Sequence, residues 1–164
     1  MDKADLVAQL VDQLAASARG ALAAREAAAT EAREGATPDE KREDARAAHQ
    51  LATLGTAQQR RAQQALAEID ALAQWKPQPL PSTARIAVGA IIEIEDPESG
   101  HGRTLFLAPT GAGITLTAFG GDGLLSVVTP VSPIGRAVVG RKVGDVVEIA
   151  AAGEIREWQI SYVG

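Results

Sequence analysis

The chain has 164 residues and a formal net charge of -5, with aromatic residues at only 3% and no cysteine. That length holds one compact domain, or a small domain plus an extended element. The acidic balance argues against a general nucleic-acid or membrane-surface binder, and the missing thiols exclude disulfides, thiolate zinc sites and cysteine nucleophiles. The N-terminal stretch MDKADLVAQLVDQL lacks the apolar region of a signal peptide, and no run of about 18 apolar residues follows. A cytoplasmic protein is the default expectation.

Residues 2 to about 74 are rich in Ala, Leu, Gln, Glu and Arg and read as helix, with one interruption at Glu34-Gly35-Ala36-Thr37-Pro38-Asp39-Glu40. Gly35 suits a helix C-terminus because it takes positive φ without a Cβ clash. Thr37 is a good N-cap, Pro38 fits the first helical position, and Glu40 completes a capping box with Thr37. One helix therefore stops and another starts within a few residues, which predicts an antiparallel hairpin over 1–75 with its tip near 34–40. Val7, Leu14, Ala21 and Ala28 form one heptad row, and Leu10, Ser17, Ala24 and Glu31 the other. In the second helix the rows are Ala48, Gly55, Ala62, Ile69 and Leu51, Gln58, Ala65, Leu72. These spacings belong to a left-handed two-helix coil. The large apolar residues gather at the base, with Leu6, Leu10 and Leu14 expected against Leu66, Ile69 and Leu72. At 1.5 Å per residue each helix is roughly 50 Å long, and a thin rod of that length points to reach rather than to a core.

Four carboxylates, Asp39, Glu40, Glu43 and Asp44, sit just past the tip. Acids in a first helical turn favourably meet the dipole, and with Lys41 and Arg42 they read first, on local sequence alone, as a solvated face. The functional alternative is that they meet a metal ion or a cationic pocket in a partner. Carboxylate oxygens suit Mg²⁺, which borrows ligands from several sources. His49 and His101 lack metal-ligand spacing and read as ordinary polar residues.

Trp75-Lys76-Pro77-Gln78-Pro79-Leu80-Pro81-Ser82 ends the helix, and its alternating prolines predict a stiff linker over 76–84. The period then becomes strand-like over 85–164. Ile86, Val88, Ile91, Ile92 and Ile94 form a β-branched run, and 96–102 reads as a turn. Further strands are expected at 104–107, 114–117, 124–128, 145–149 and 154–162, giving a compact, mainly antiparallel sheet. One short helix interrupts them: Ser132 is the N-cap, Pro133 the first helical residue and Gly140 the stop. Ile134, Ala137 and Val138 are placed to pack on the sheet, while Arg136, Arg141 and Lys142 stay wet. The Gly-rich stretches at 111–113 and 120–123 match no phosphate-binding pattern and read as turns. Ser126, Ser132 and Ser161 have no nearby His–acid pair, so nucleophilic catalysis has no support.

Residues Ser132-Pro133-Ile134-Gly135-Arg136-Ala137-Val138-Val139-Gly140 through Val147 resemble the S-P-[IL]-[GA]-[RK]-A-[LI]-[LI]-G-K-x-x-G-D-x-V string of bacterial Gre-type transcript cleavage factors. Gly153 to Ile160 resembles the family's G-[GE]-x-x-x-[FW]-x-[IV] ending, and Glu31 to Glu34 its stretch before the tip. The resemblance implies an α+β protein: a coiled-coil hairpin followed by an FKBP-like antiparallel β domain with one short helix. It implies a monomer without catalysis of its own that docks on RNA polymerase at the rim of the secondary channel, through the segment Ser132, Pro133, Ile134, Gly135 and Arg136. The tip would approach the polymerase active site, where Glu40 and Asp39 would share Mg²⁺ and stimulate cleavage of backtracked RNA by the two-metal chemistry of phosphodiester hydrolysis. The family's tip, G-D-L-[KS]-E-N-A-E-Y, falls without gaps on Ala36 through Asp44. Glu40 matches its second essential acid, Thr37 stands in place of the first Asp, and Asp44 in place of the Tyr. A non-cleaving modulator or inhibitor of the same fold is the alternative. An FKBP-like isomerase or chaperone is more remote, since Phe106, Phe119, Trp158 and Tyr162 are the only aromatics available for its pocket, and a coiled-coil adaptor is a third class.

Overall fold

A computed structural model of the chain describes residues 2–34, 43–118, 123–151 and 153–164. Two long helices, α1 (Lys3–Glu34) and α2 (Glu43–Ala73), come first. Then follow β1 (Ile91–Glu95), β2 (Gly102–Leu107), β3 (Thr115–Thr117), β4 (Leu124–Val128), α3 (Pro133–Val138), β5 (Val146–Ala151) and β6 (Glu154–Val163). The chain divides into two compact units, Met1–Val11 with Ala71–Gly164, and Asp12–Asp70. No helix of the described residues is long and apolar enough to cross a membrane.

In the unit Asp12–Asp70 the two helices are the only described elements, and each carries a buried stripe. On α1 the stripe runs Leu14, Ala18, Ala21, Ala28, and on α2 it includes Ala62 and Ala65. The heptad expectation holds for Leu14, Ala21 and Ala28 and for the α2 rows through Gly55, Gln58, Ala62, Ala65 and Ile69, all buried or half-buried. It fails at Ser17 and Ala24, which face solvent while Ala18 takes the buried place. Ala18 stands four residues after Leu14 and three before Ala21, the spacing that keeps a residue on one face of a 3.6-residue helix. Leu66, expected at the packed base, is instead 52% exposed. It follows Ala65 by one position, about 100° around the helix, and Ala65 holds the seam. Hydrophobicity alone did not choose between them.

In the other unit the sheet has six strands in the order β3-β4-β2-β1-β6-β5. All neighbours are antiparallel except β2 and β4, which run parallel with Leu105 opposite Ser126 and Leu107 opposite Val128. Both faces are covered, which explains why Leu105, Phe106 and Leu107 are buried in succession rather than in alternation. One face carries Ile92, Ile94, Leu105, Leu107, Val147, Ile149, Trp158 and Ile160, on which Val138, Ile134 and Ala137 of α3 pack. Opposite, the Phe106 ring lies 5.8 Å from that of Trp75, just beyond α2. The first turns of α1 join the sheet edge there: Gln9 Nε2 donates to Thr117 O at 3.0 Å and Gln9 Oε1 accepts from Thr117 N at 2.9 Å. One side-chain amide thus occupies the outward backbone N–H and C=O of Thr117 on the edge strand β3.

The strand expected to begin near Ile86 begins at Ile91. Gly89 has φ 100°, so the extended run breaks there. Ile86 is buried but pairs its backbone with Gly140 and Arg141 instead of a strand, and Val88 is 41% exposed in the turn. The other strands, the short helix and its stop lie where the sequence placed them to within a few residues. A β-bulge between Glu93 and Ile94 shifts the β1–β6 register.

Candidate functional site

The turn from β4 into α3 is built from its backbone outward. Thr129 is 5% exposed. Its carbonyl accepts from Ser132 N at 2.9 Å and from Ser132 Oγ at 2.8 Å. Ser132 Oγ in turn accepts from Gly135 N at 3.1 Å, so the predicted N-cap is made, and Pro133 follows it with no N–H to satisfy. Gly135 is forced by proximity: a Cβ there would lie 1.9 Å from Thr129 O and 2.7 Å from Thr129 C. At the far end Val139 N donates to Gly135 O at 3.0 Å, and Gly140, at φ 76°, turns the chain away.

This arrangement sorts the five expected docking residues. Ser132 spends its hydroxyl on two backbone partners. Gly135 is buried and Ile134 packs on the core. Pro133 and Arg136 face solvent. Beside them is Val131, 72% exposed in the turn, which the sequence reading missed; its place between Pro130 and Pro133 was the available sign that a β-branched residue here belongs to a turn rather than a strand.

Of the expected tip residues, Asp39 and Glu40 lie outside the described residues, as do Gly35, Thr37 and Pro38. Glu43 and Asp44 open α2. Among the described residues no group of three or more His, Cys, Asp and Glu side chains is placed to hold a metal ion.

Concavities lined by described residues elsewhere in the same unit as the sheet include the following two. One, of about 510 Å³, is lined by Lys3, Val7, Trp75, Pro77 and Pro79 among others. Lys3 donates from Nζ to Gln78 O at 2.8 Å, and its partial burial pushes its pKa down. The other, of about 530 Å³, lies between the β1–β2 turn and β6. There Asp96 accepts from the backbone N–H groups of Glu98 at 2.9 Å and Ser99 at 3.2 Å. Its carboxyl is held below the usual range by the Glu98 N–H first and by Ser99 next. Arg156 in the same rim pairs with Glu154 at 2.8 Å.

The turn from β4 into α3 is thus a capped, outward-facing surface on the unit that carries the sheet. Residues 81–164 match the model of the family described as transcription elongation factor, GreA/GreB, C-terminal domain. The chain belongs to the GreA/GreB transcription elongation factor family. No curated protein matches its sequence. Among solved structures it is similar to the transcription factor Gfh1, with 20% identity, 95% of this chain and 92% of that chain covered, and a TM-score of 0.42. It is similar to GreA factor homolog 1 of Thermus thermophilus at 20% identity, covering 96% and 94%, with a TM-score of 0.40. A GreA/GreB factor from Nitrosomonas europaea has 20% identity over 59% of this chain and 77% of that one, with a TM-score of 0.39.

Proposed function

We propose that the protein binds RNA polymerase through its C-terminal domain and inserts its N-terminal hairpin into the secondary channel, acting on transcription elongation without catalysis of its own. The observation that carries this reading is the family match over residues 81–164, which contains the capped turn. Pro133 and Arg136 stand exposed there on a rigid base and form the docking contact, with Val131 beside them. The two long helices supply the reach.

At the channel's inner end the tip acids Asp39, Glu40, Glu43 and Asp44 would approach the polymerase's Mg²⁺ site. Glu40, with Asp39, would be the residue that shares the ion; the metal's chemistry is to activate water and stabilise the leaving oxygen. Thr37, in the place of the family's first acid, favours a second reading: the hairpin occupies the channel and modulates the polymerase without cleavage.

Two assays test this. Competition for purified RNA polymerase against a standard Gre factor should show displacement by the protein, and Arg136→Glu should lose it without unfolding; failure of the unaltered protein to compete overturns the reading. On a stalled, backtracked complex with Mg²⁺, shortening of the RNA 3′ end that disappears in Glu40→Ala assigns cleavage. Binding without shortening, accompanied by altered pausing, assigns modulation.

A further inference from the structure

Two of the carboxylate-free stretches of this acidic chain are residues 76–92, whose charged side chains are Lys76 and Arg85, and residues 132–144, whose charged side chains are Arg136, Arg141 and Lys142. The fold brings them together. Ile86 N donates to Arg141 O at 2.8 Å, and Gly140 N to Ile86 O at 2.8 Å. The Arg85 guanidinium donates from Nη1 to Gly140 O at 2.9 Å, at the end of α3. Arg136 lies one helical turn before Gly140, and Arg141 and Lys142 directly after it.

We infer that Arg85, Arg136, Arg141 and Lys142 form one cationic surface around the C-terminal end of α3, and that it takes a Glu- and Asp-bearing segment of the partner protein. The inference rests on the polymerase-docking reading and names the chemistry of the contact. Three observations carry it. All four cations are exposed, and among the described residues none has an ion pair. Asp145 is a carboxylate beside the group; it is half-buried, and its Oδ2 accepts from Lys142 N at 3.0 Å. Val139, 43% exposed, and Val143, 40% exposed, interleave with the cations, so charge and apolar area alternate as they do at protein contacts, where arginine is enriched.

The net charge of -5 makes this concentration a local exception rather than an overall bias. An acidic partner segment is complementary to it, and the pairing would set association rate and register. A nucleic acid shares the charge, but neither stretch offers an aromatic side chain at the patch on which a base would stack.

The test uses the full chain with purified core RNA polymerase as probe and a single-stranded RNA oligonucleotide as a second probe. Arg141→Glu/Lys142→Glu is compared with Arg141→Gln/Lys142→Gln and with the unaltered protein. These residues hold the fold through backbone groups, so both pairs should melt as the unaltered protein does; the neutral pair serves if the reversed pair does not. Expected are a loss of polymerase affinity of about tenfold or more in the Glu pair, a smaller loss in the Gln pair, and a marked fall in affinity of the unaltered protein between about 50 and 300 mM salt. Polymerase binding that survives in both pairs overturns the cationic contact and leaves the docking reading standing. Tighter binding to the RNA than to the polymerase overturns it in favour of a nucleic-acid surface. If the unaltered protein does not bind polymerase, both readings fall.

Discussion

Gly135→Ala separates two lines of reasoning because they predict opposite signs. Gly135 is inside α3, and by helix propensity alone alanine should stabilise that position by about 1 kcal/mol. The tertiary structure reverses this. The new methyl carbon would sit 1.9 Å from Thr129 O, 2.7 Å from Thr129 C and 3.0 Å from Ser132 Oγ. An ordinary carbon–oxygen contact is about 3.3 Å, so backbone must move by more than about 1 Å. The atoms in the way belong to the peptide that anchors the turn, not to a flexible side chain. Moving them breaks the Ser132 cap, costing about 1 kcal/mol, and weakens the bonds to Thr129 O, at about 1 kcal/mol each. Residual overpacking adds about 1 kcal/mol or more. The expected net loss is about 3 kcal/mol, or a fall in melting temperature of roughly 12–24 °C for a domain of this size. The assay is thermal unfolding followed by tryptophan fluorescence, since Trp75 and Trp158 both belong to the sheet-bearing unit. A midpoint unchanged within about 2 °C, or raised, refutes the reasoning.

Three further outcomes are expected. Gln9→Glu keeps the acceptor for Thr117 N but sets an oxygen against Thr117 O, so the edge of β3 should loosen by about 1 kcal/mol; faster amide hydrogen exchange at Thr117 checks it, and unchanged protection refutes it. Asp96 has a folded-state pKa below its unfolded value, so its contribution is present above the ordinary aspartate range and is lost as pH falls through the lowered folded value. Asp96→Asn should therefore flatten the acid limb of the stability curve, and an NMR titration should place the carboxyl below that of an unstructured peptide. In the arm, Leu14→Ala should cost about 2–3 kcal/mol as a buried seam residue, while Leu66→Ala should change stability by less than about 0.5 kcal/mol; equal losses would show that the observed seam is wrong.

Local chemistry made much of the fold legible. Ser132, Pro133 and Gly140 announced a short helix whose ends depend only on neighbouring backbone, and both cap and stop are where they were read. The switch from Ala- and Leu-rich helix to β-branched strand after the prolines was equally local. Exposure was harder to read. Leu66 is more apolar than Ala65, yet the seam takes the alanine, because angular position on the helix is set by the partner. Ile86 is β-branched but pairs with the turn after α3, since Gly89 ends the extension. For the candidate site, Arg136 was legible as a wet helix residue. Arg85 was not, because its role comes from a hydrogen bond across 55 residues.

Sequence by itself determined the two-helix arm, the strand-rich C-terminal half, the capped turn and the family resemblance, all of which depend on contacts within a few residues. Tertiary structure decided the parallel β2–β4 pairing, the covering of both sheet faces, the closure of the β3 edge by Gln9, and the meeting of two carboxylate-free stretches around α3. Each of these joins residues far apart in the chain, and no periodicity or propensity encodes which distant partner satisfies a given backbone group or shields a given side chain.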